Sequence, residues 1–121
     1  TTIRAIGNVG VDELLSGEAM CGTYTSAVTC PNSASSTIAE SNQVFATSSS
    51  ATYAQASSTG NKLSSSTLSE LEINVQKSTS TTVQASGKTY WGIRVPISIT
   101  LAGNYTGENT FYGKVAEIAD W

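Results

Sequence analysis

The sequence predicts an all-β protein, an immunoglobulin-like or jelly-roll-like antiparallel β-sandwich of about 7–9 strands preceded by an N-terminal extension strand. Three observations carry this. Ser and Thr together make up 36 of the 121 residues, and hydroxyl-bearing and β-branched side chains suit strands and exposed surfaces better than helices. Apolar residues recur at every second position wherever a pattern exists, the period of a strand with one buried face. Helical periodicity is nearly absent, and Thr67 to Leu71 holds one turn at most.

The elements follow in order. Ile3, Ala5, Gly7, Val9 and Val11 alternate with Arg4, Asn8 and Asp12, which predicts one long N-terminal strand joined to the body through Leu14 to Glu18. Residues 1–17 are accordingly set apart as an N-terminal strand, and 18–121 as the sandwich domain. Asn42 to Ser48 and Ala51 to Ala56 predict short strands centred on Val44, Phe45 and Tyr53, with a turn-rich connection through Gly60-Asn61. Leu71, Ile73 and Val75 alternate with Glu70, Glu72 and Asn74, the pattern of a half-buried strand with a charged outer face. Trp91, Ile93, Val95, Ile97, Ile99 and Leu101, followed by Tyr105, Phe111, Val115 and Ile118, are expected to form much of the core.

Parity fixes an expectation for a final hairpin. A three-residue loop, Ala102-Gly103-Asn104, would pair Leu101 with Tyr105, Val95 with Phe111 and Trp91 with Val115, keeping odd positions on one face. Asn104 would then adopt the left-handed conformation. Pro96 cannot donate a ladder bond and marks a bulge or edge.

Length and charge exclude whole classes. A chain of 121 residues is one domain with one core. Six basic residues against nine acidic ones leave no stripe with which to neutralise phosphates, so nucleic acid is excluded as a partner. No apolar run approaches the roughly 20 residues that cross a bilayer. Cys21 and Cys30, nine positions apart, are read as a disulfide closing a short loop, worth about 2–3 kcal/mol in the chain-entropy description. Without His or further Cys they cannot complete a zinc site, and neither a metal nor a cofactor is expected. The disulfide and a first residue of Thr rather than Met read as a mature, leader-processed extracellular protein of a cell surface or filament.

The N-terminal segment is the candidate functional element. A strand at this place can add to its own sheet as the first strand of the sandwich or complete a neighbour's sheet, and small alternating apolar residues around Gly7 suit insertion between sheet edges. Ile3, Ala5, Val9 and Val11 are the expected donor-strand residues, and Ile73, Val95, Ile97 and Phe111 the expected acceptor groove. A strand given to the next copy makes a heterologous contact that does not close, hence a head-to-tail homopolymer.

The alternating N-terminal segment, the Ser/Thr-rich strands, the early Cys pair, and the segments Trp91-Gly92-Ile93-Arg94-Val95-Pro96 and Gly103-Asn104-Tyr105-Thr106-Gly107 resemble secreted microbial immunoglobulin-like sandwich domains. The resemblance implies the fold of surface proteins and pilus subunits in which two such segments form the final hairpin. Chaperone-usher pilins differ in the spacing of their Cys pair, and type IV pilins in their long apolar N-terminal helix.

The function expected is therefore a structural subunit of an extracellular filament or cell-surface assembly that polymerises by donor-strand insertion. The alternative is a monomeric adhesive or carbohydrate-binding module, with surface glycans as partners and Tyr90, Tyr112 and Trp121 as stacking aromatics. Asn104-Tyr105-Thr106 matches the acceptor pattern for N-linked glycan. No catalytic residue is expected. His is missing, Glu70 and Glu72 read as a solvated strand face, and Lys114 and Asn109 differ in orientation, which argues against an isopeptide crosslink.

Overall fold

In the computed structural model, which describes residues 1–25 and 29–121, the chain is mostly strands with one short helix. The strands are β1 (Thr2–Arg4), β2 (Val11–Gly17), β3 (Met20–Cys21), β4 (Thr37–Ile38), β5 (Gln43–Ala46), β6 (Ser69–Val75), β7 (Ser86–Lys88), β8 (Tyr90–Ile93) and β9 (Asn109–Val115); the helix is α1 (Tyr53–Ser58). All described pairings are antiparallel and form small sheets: β6-β2-β9, β5-β8, β1-β7 and β3-β4.

β2 is the centre of the molecule, hydrogen-bonded to β6 on one side and β9 on the other. Its odd positions pair Leu15 with Ser69 and Phe111, and Glu13 with Leu71 and Gly113, which places these side chains on one face. That face packs on β5 and β8. Leu15, Phe45, Leu63 and Leu71 form a buried cluster, with Ile73 and Trp91 against it. Each such side chain contributes about 1.5–3 kcal/mol by leaving water. The Trp91 ring lies 6.2 Å from Phe45 and meets Phe111 edge-on at 5.3 Å, joining the two sheets. Polar groups make a second tie: Asn109 Nδ2 donates to Gln43 Oε1, and Gln43 Nε2 donates to the Glu18 carbonyl, both at 3.0 Å.

The alternation of Leu71, Ile73 and Val75 forms β6 as the pattern requires, with Leu71 and Val75 buried. Ser69 already belongs to that strand, so the turn allowed at Thr67 to Leu71 is not helical. Other expectations are corrected. The long strand from Ile3 to Val11 is interrupted: β1 ends at Arg4, residues 5–10 are irregular, and β2 begins at Val11. The strand expected over Ala51 to Ala56 is replaced by α1. Thr52 and Gln55 form a reciprocal capping box at its start. At its end Gly60 adopts a φ of +81°, while Asn61 N donates to Ala56 O and Gly60 N to Ser57 O, the bonding of a Schellman cap. Short-range capping outweighs a weak strand pattern made of Ser, Ala and Thr.

The final hairpin is also corrected. β8 pairs with β5 and β9 with β2, so Trp91 and Phe111 meet across sheets rather than along one ladder. Arg94 N still bonds Asn42 O, but Pro96 brings no donor, and Ile99 N closes a turn onto Pro96 O. Val95, Leu101 and Ile97 are consequently exposed, Ile97 completely. Ile93, Phe111, Val115 and Ile118 are also exposed in part or largely, so this stretch supplies less of the core than its alternation implies. Asn104 does not take a positive φ; among the described non-glycine residues Asn74 does, at +50°.

Cys21 and Cys30 form a disulfide with Cα atoms 5.7 Å apart. Cys21 is buried, and its backbone exchanges hydrogen bonds with Thr106 in both directions. Replacing both cysteines with serine is expected to lower unfolding free energy by about 2–3 kcal/mol, read as a lower urea midpoint. An unchanged midpoint would mean that the bridge does not constrain the unfolded chain as the chain-entropy description requires.

Candidate strand-docking surface

Among the described residues, the outer edges of β8 and β9 are open. β8 pairs with β5 alone and β9 with β2 alone, although both strands border the core. On the core-facing side of β9 the odd positions are Asn109, Phe111, Gly113 and Val115, with no charge among them. Phe111 is 39% exposed although its β2 partner Leu15 is fully buried, and Val115, opposite the half-buried Val11, is 55% exposed. Opposite, Ile93 on β8 is 49% exposed. A shallow, largely apolar depression of about 240 Å³ lies between, lined by Met20, Gln43, Trp91, Gly92, Ile93 and Asn109. A free edge presents unpaired N–H and C=O groups, and folded proteins ordinarily blunt one with charge, proline or a covering loop. The charge carried by β9, Lys114, points to the other face and pairs with Glu70 and Glu117.

The acceptor residues expected from sequence are only partly gathered here. Phe111 stands at the depression through its contact with Trp91. Ile73 lies elsewhere, beneath β7, where a side chain at Gly87 would come within 2.6 Å of it. Val95 follows β8 on the exposed side, and Ile97 lies in the turn after Pro96. Met20 and Trp91, central to the depression, were legible only as an isolated Met and as one member of the long apolar alternation.

The expected donor residues divide between two environments. Ile3 pairs with Gly87 in the small β1-β7 sheet, and Ala5 is fully buried with its N–H on Ala85 O. Val9 sits in the irregular segment and is half-buried. Val11 begins the central strand and pairs with both Val75 and Val115. Withdrawing β2 would break two ladders and uncover Leu15, whereas the segment before Gly10 is held by a three-residue ladder, backbone bonds of Thr1 with Thr89 and of Ala5 with Ala85, and the side-chain bonds of Ser78 to Ala5 O and of Trp91 to Thr1.

The stacking aromatics are dispersed. Tyr112 projects from β9 away from the core, Tyr90 projects from β8 toward the α1 side, and the Trp121 indole bonds the Ala116 carbonyl at 3.0 Å. Asn104 is exposed in the loop beside the disulfide, while Thr106 Oγ1 donates to Cys21 O at 3.4 Å. Lys114 and Asn109 bond different partners on different faces. No described helix is long and apolar enough to cross a membrane. Comparison with protein-family models, with characterised proteins and with solved structures returned no match.

Proposed function

We propose that this chain is a structural subunit of an extracellular assembly, and that the open edge of β9 receives the N-terminal segment of a neighbouring copy as an added strand. The observation that carries the reading is the uncovered apolar side of β9, Phe111 against Trp91 and Val115 farther along the strand, at an edge without a charged guard. A strand added there would continue the β6-β2-β9 sheet and bring alternate side chains over those residues. Ile3, Ala5, Gly7 and Val9 have the required period, and residues 3–9 match the seven-residue length of β9, about 23 Å of extended chain. The donor is thereby narrowed to the segment ahead of Gly10, since Val11 serves the subunit's own central strand. Because strand and edge are different surfaces, the contact propagates head to tail. The disulfide fits an oxidising, secreted setting. Surface glycans remain the alternative partner, with less support, since Tyr90 and Tyr112 offer no shared platform.

Electron microscopy and size analysis of the native protein test this beside two variants, Val9→Asp in the donor and Val115→Lys in the acceptor. Each alone is expected to stop polymerisation while remaining folded. Mixed in equal amounts they should form a dimer, since one supplies an intact edge and the other an intact strand. Filaments from either variant alone, or a mixture that stays monomeric, would sink the reading.

A further inference from the structure

Five of the nine acidic side chains gather on the face of the β6-β2-β9 sheet that points away from the core. Carboxylate oxygens of Asp12, Glu70 and Glu117 lie within 4.8 Å of one another, as do those of Glu72, Glu117 and Asp120. The Lys114 ammonium sits among them, on Glu70 and, at 3.4 Å, on Glu117. Most such clusters are solvated strand surface. Asp12 is different.

Asp12 has no exposed surface. The register of β2 on β6 shifts between Val11 and Glu13, and the Asn74 backbone there turns to a positive φ. Asp12 Oδ1 accepts the Asn74 N–H at 2.8 Å, which satisfies the bulge. One oxygen is enough for that, and asparagine would supply it without a charge. Oδ2 is also sealed from solvent and has no hydrogen-bond partner among the described residues. A buried carboxylate oxygen without a donor is costly and calls for a counter-charge. Glu117 and Asp120 are brought to the same place by the C-terminal turn, which is held by Ala116 N on Gly10 O and by the Trp121 indole on Ala116 O.

We infer that Asp12, Glu70 and Glu117, with Glu72 and Asp120 beside them, form a site for a divalent cation of the calcium type, which displaces the Lys114 ammonium when it binds. The donor set is all carboxylate oxygen, with no imidazole or thiolate, which suits a hard cation of flexible coordination. The bound ion would fasten the C-terminal turn to the bulge of β6 and to the central strand.

Terbium(III) luminescence tests the site, because Trp121 lies next to the cluster and serves as the antenna. Saturable emission under tryptophan excitation, displaced by calcium, is expected. Roughly 10 mM calcium should also raise the melting temperature by about 5–10 °C, with no equal rise in sodium chloride of matched ionic strength. Glu117→Gln, an exposed change compatible with folding, should weaken terbium binding about tenfold or more. Lys114→Gln should strengthen it several-fold by removing the competing ammonium. Absence of saturable emission, wild-type affinity in Glu117→Gln, or an equal stabilisation by sodium chloride would overturn the site.

Discussion

Phe45→Ala is expected to remove about 3–5 kcal/mol of unfolding free energy, a large share of the roughly 5–15 kcal/mol that holds a domain of this size. Phe45 is 1% exposed and lies where the β5-β8 pair meets the three-stranded sheet, against Leu15, Leu63 and Leu71 and within ring contact of Trp91. The cavity left by truncation cannot close easily, because the backbone around it is held on both sides. Phe45 N bonds Asn61 O and Leu63 N bonds Gln43 O, while β8 pairs along the other edge. Urea unfolding followed by tryptophan fluorescence measures the loss, with Phe45→Leu as a milder control. A cost below about 1.5 kcal/mol would mean that the two sheets do not share one core.

The second large effect concerns a buried polar pair. Glu13 lies on the core face of β2 at 2% exposure, and its Oε2 accepts the hydroxyl of Thr89, itself 3% exposed, in the connection between β7 and β8. Thr89→Val keeps the shape and deletes the donor, leaving a carboxylate in an apolar setting. The expected cost is about 2–4 kcal/mol. Glu13→Leu combined with Thr89→Val should recover most of it, since removing both partners removes the desolvation penalty. A double-mutant cycle in urea reads the coupling. Additive losses would show that the carboxylate finds another partner, and that the pair does not tie β2 to the β7–β8 connection.

The strand character of β6, β8 and β9 was legible because each carries apolar side chains at alternating positions, as in Leu71, Ile73 and Val75, and that of β5 through the adjacent Val44 and Phe45. The helix α1 was legible in principle, through Thr52 and Gln55 three residues apart and Gly60 beyond, but a capping box is a weak signal among so many hydroxyls. Which strands neighbour one another was not legible. Parity is satisfied equally when Trp91 and Phe111 share a ladder and when they face each other across two sheets, and the chain adopts the second arrangement. The candidate docking edge was anticipated through Phe111 and missed at Met20, because nothing local to Met20 says that the surface beside it will be left uncovered.

The acidic cluster shows the same division. Glu70 and Glu72 read correctly as an outward strand face, but Asp12 reads as one more polar residue in an alternating run. Its burial depends on a bulge sixty residues later in the chain and on a turn beyond β9. Sequence by itself determined the strand-rich character, the short disulfide loop and the polar, hydroxylated surface, because these rest on period, spacing and composition, which act over a few residues. Only the tertiary structure decided that β2 is central, that β8 and β9 lie in separate sheets with open edges, and that one carboxylate oxygen of Asp12 is sealed without a donor. Those outcomes depend on which distant segments exclude water from one another, and strands of similar alternation differ too little in local preference to choose their own neighbours.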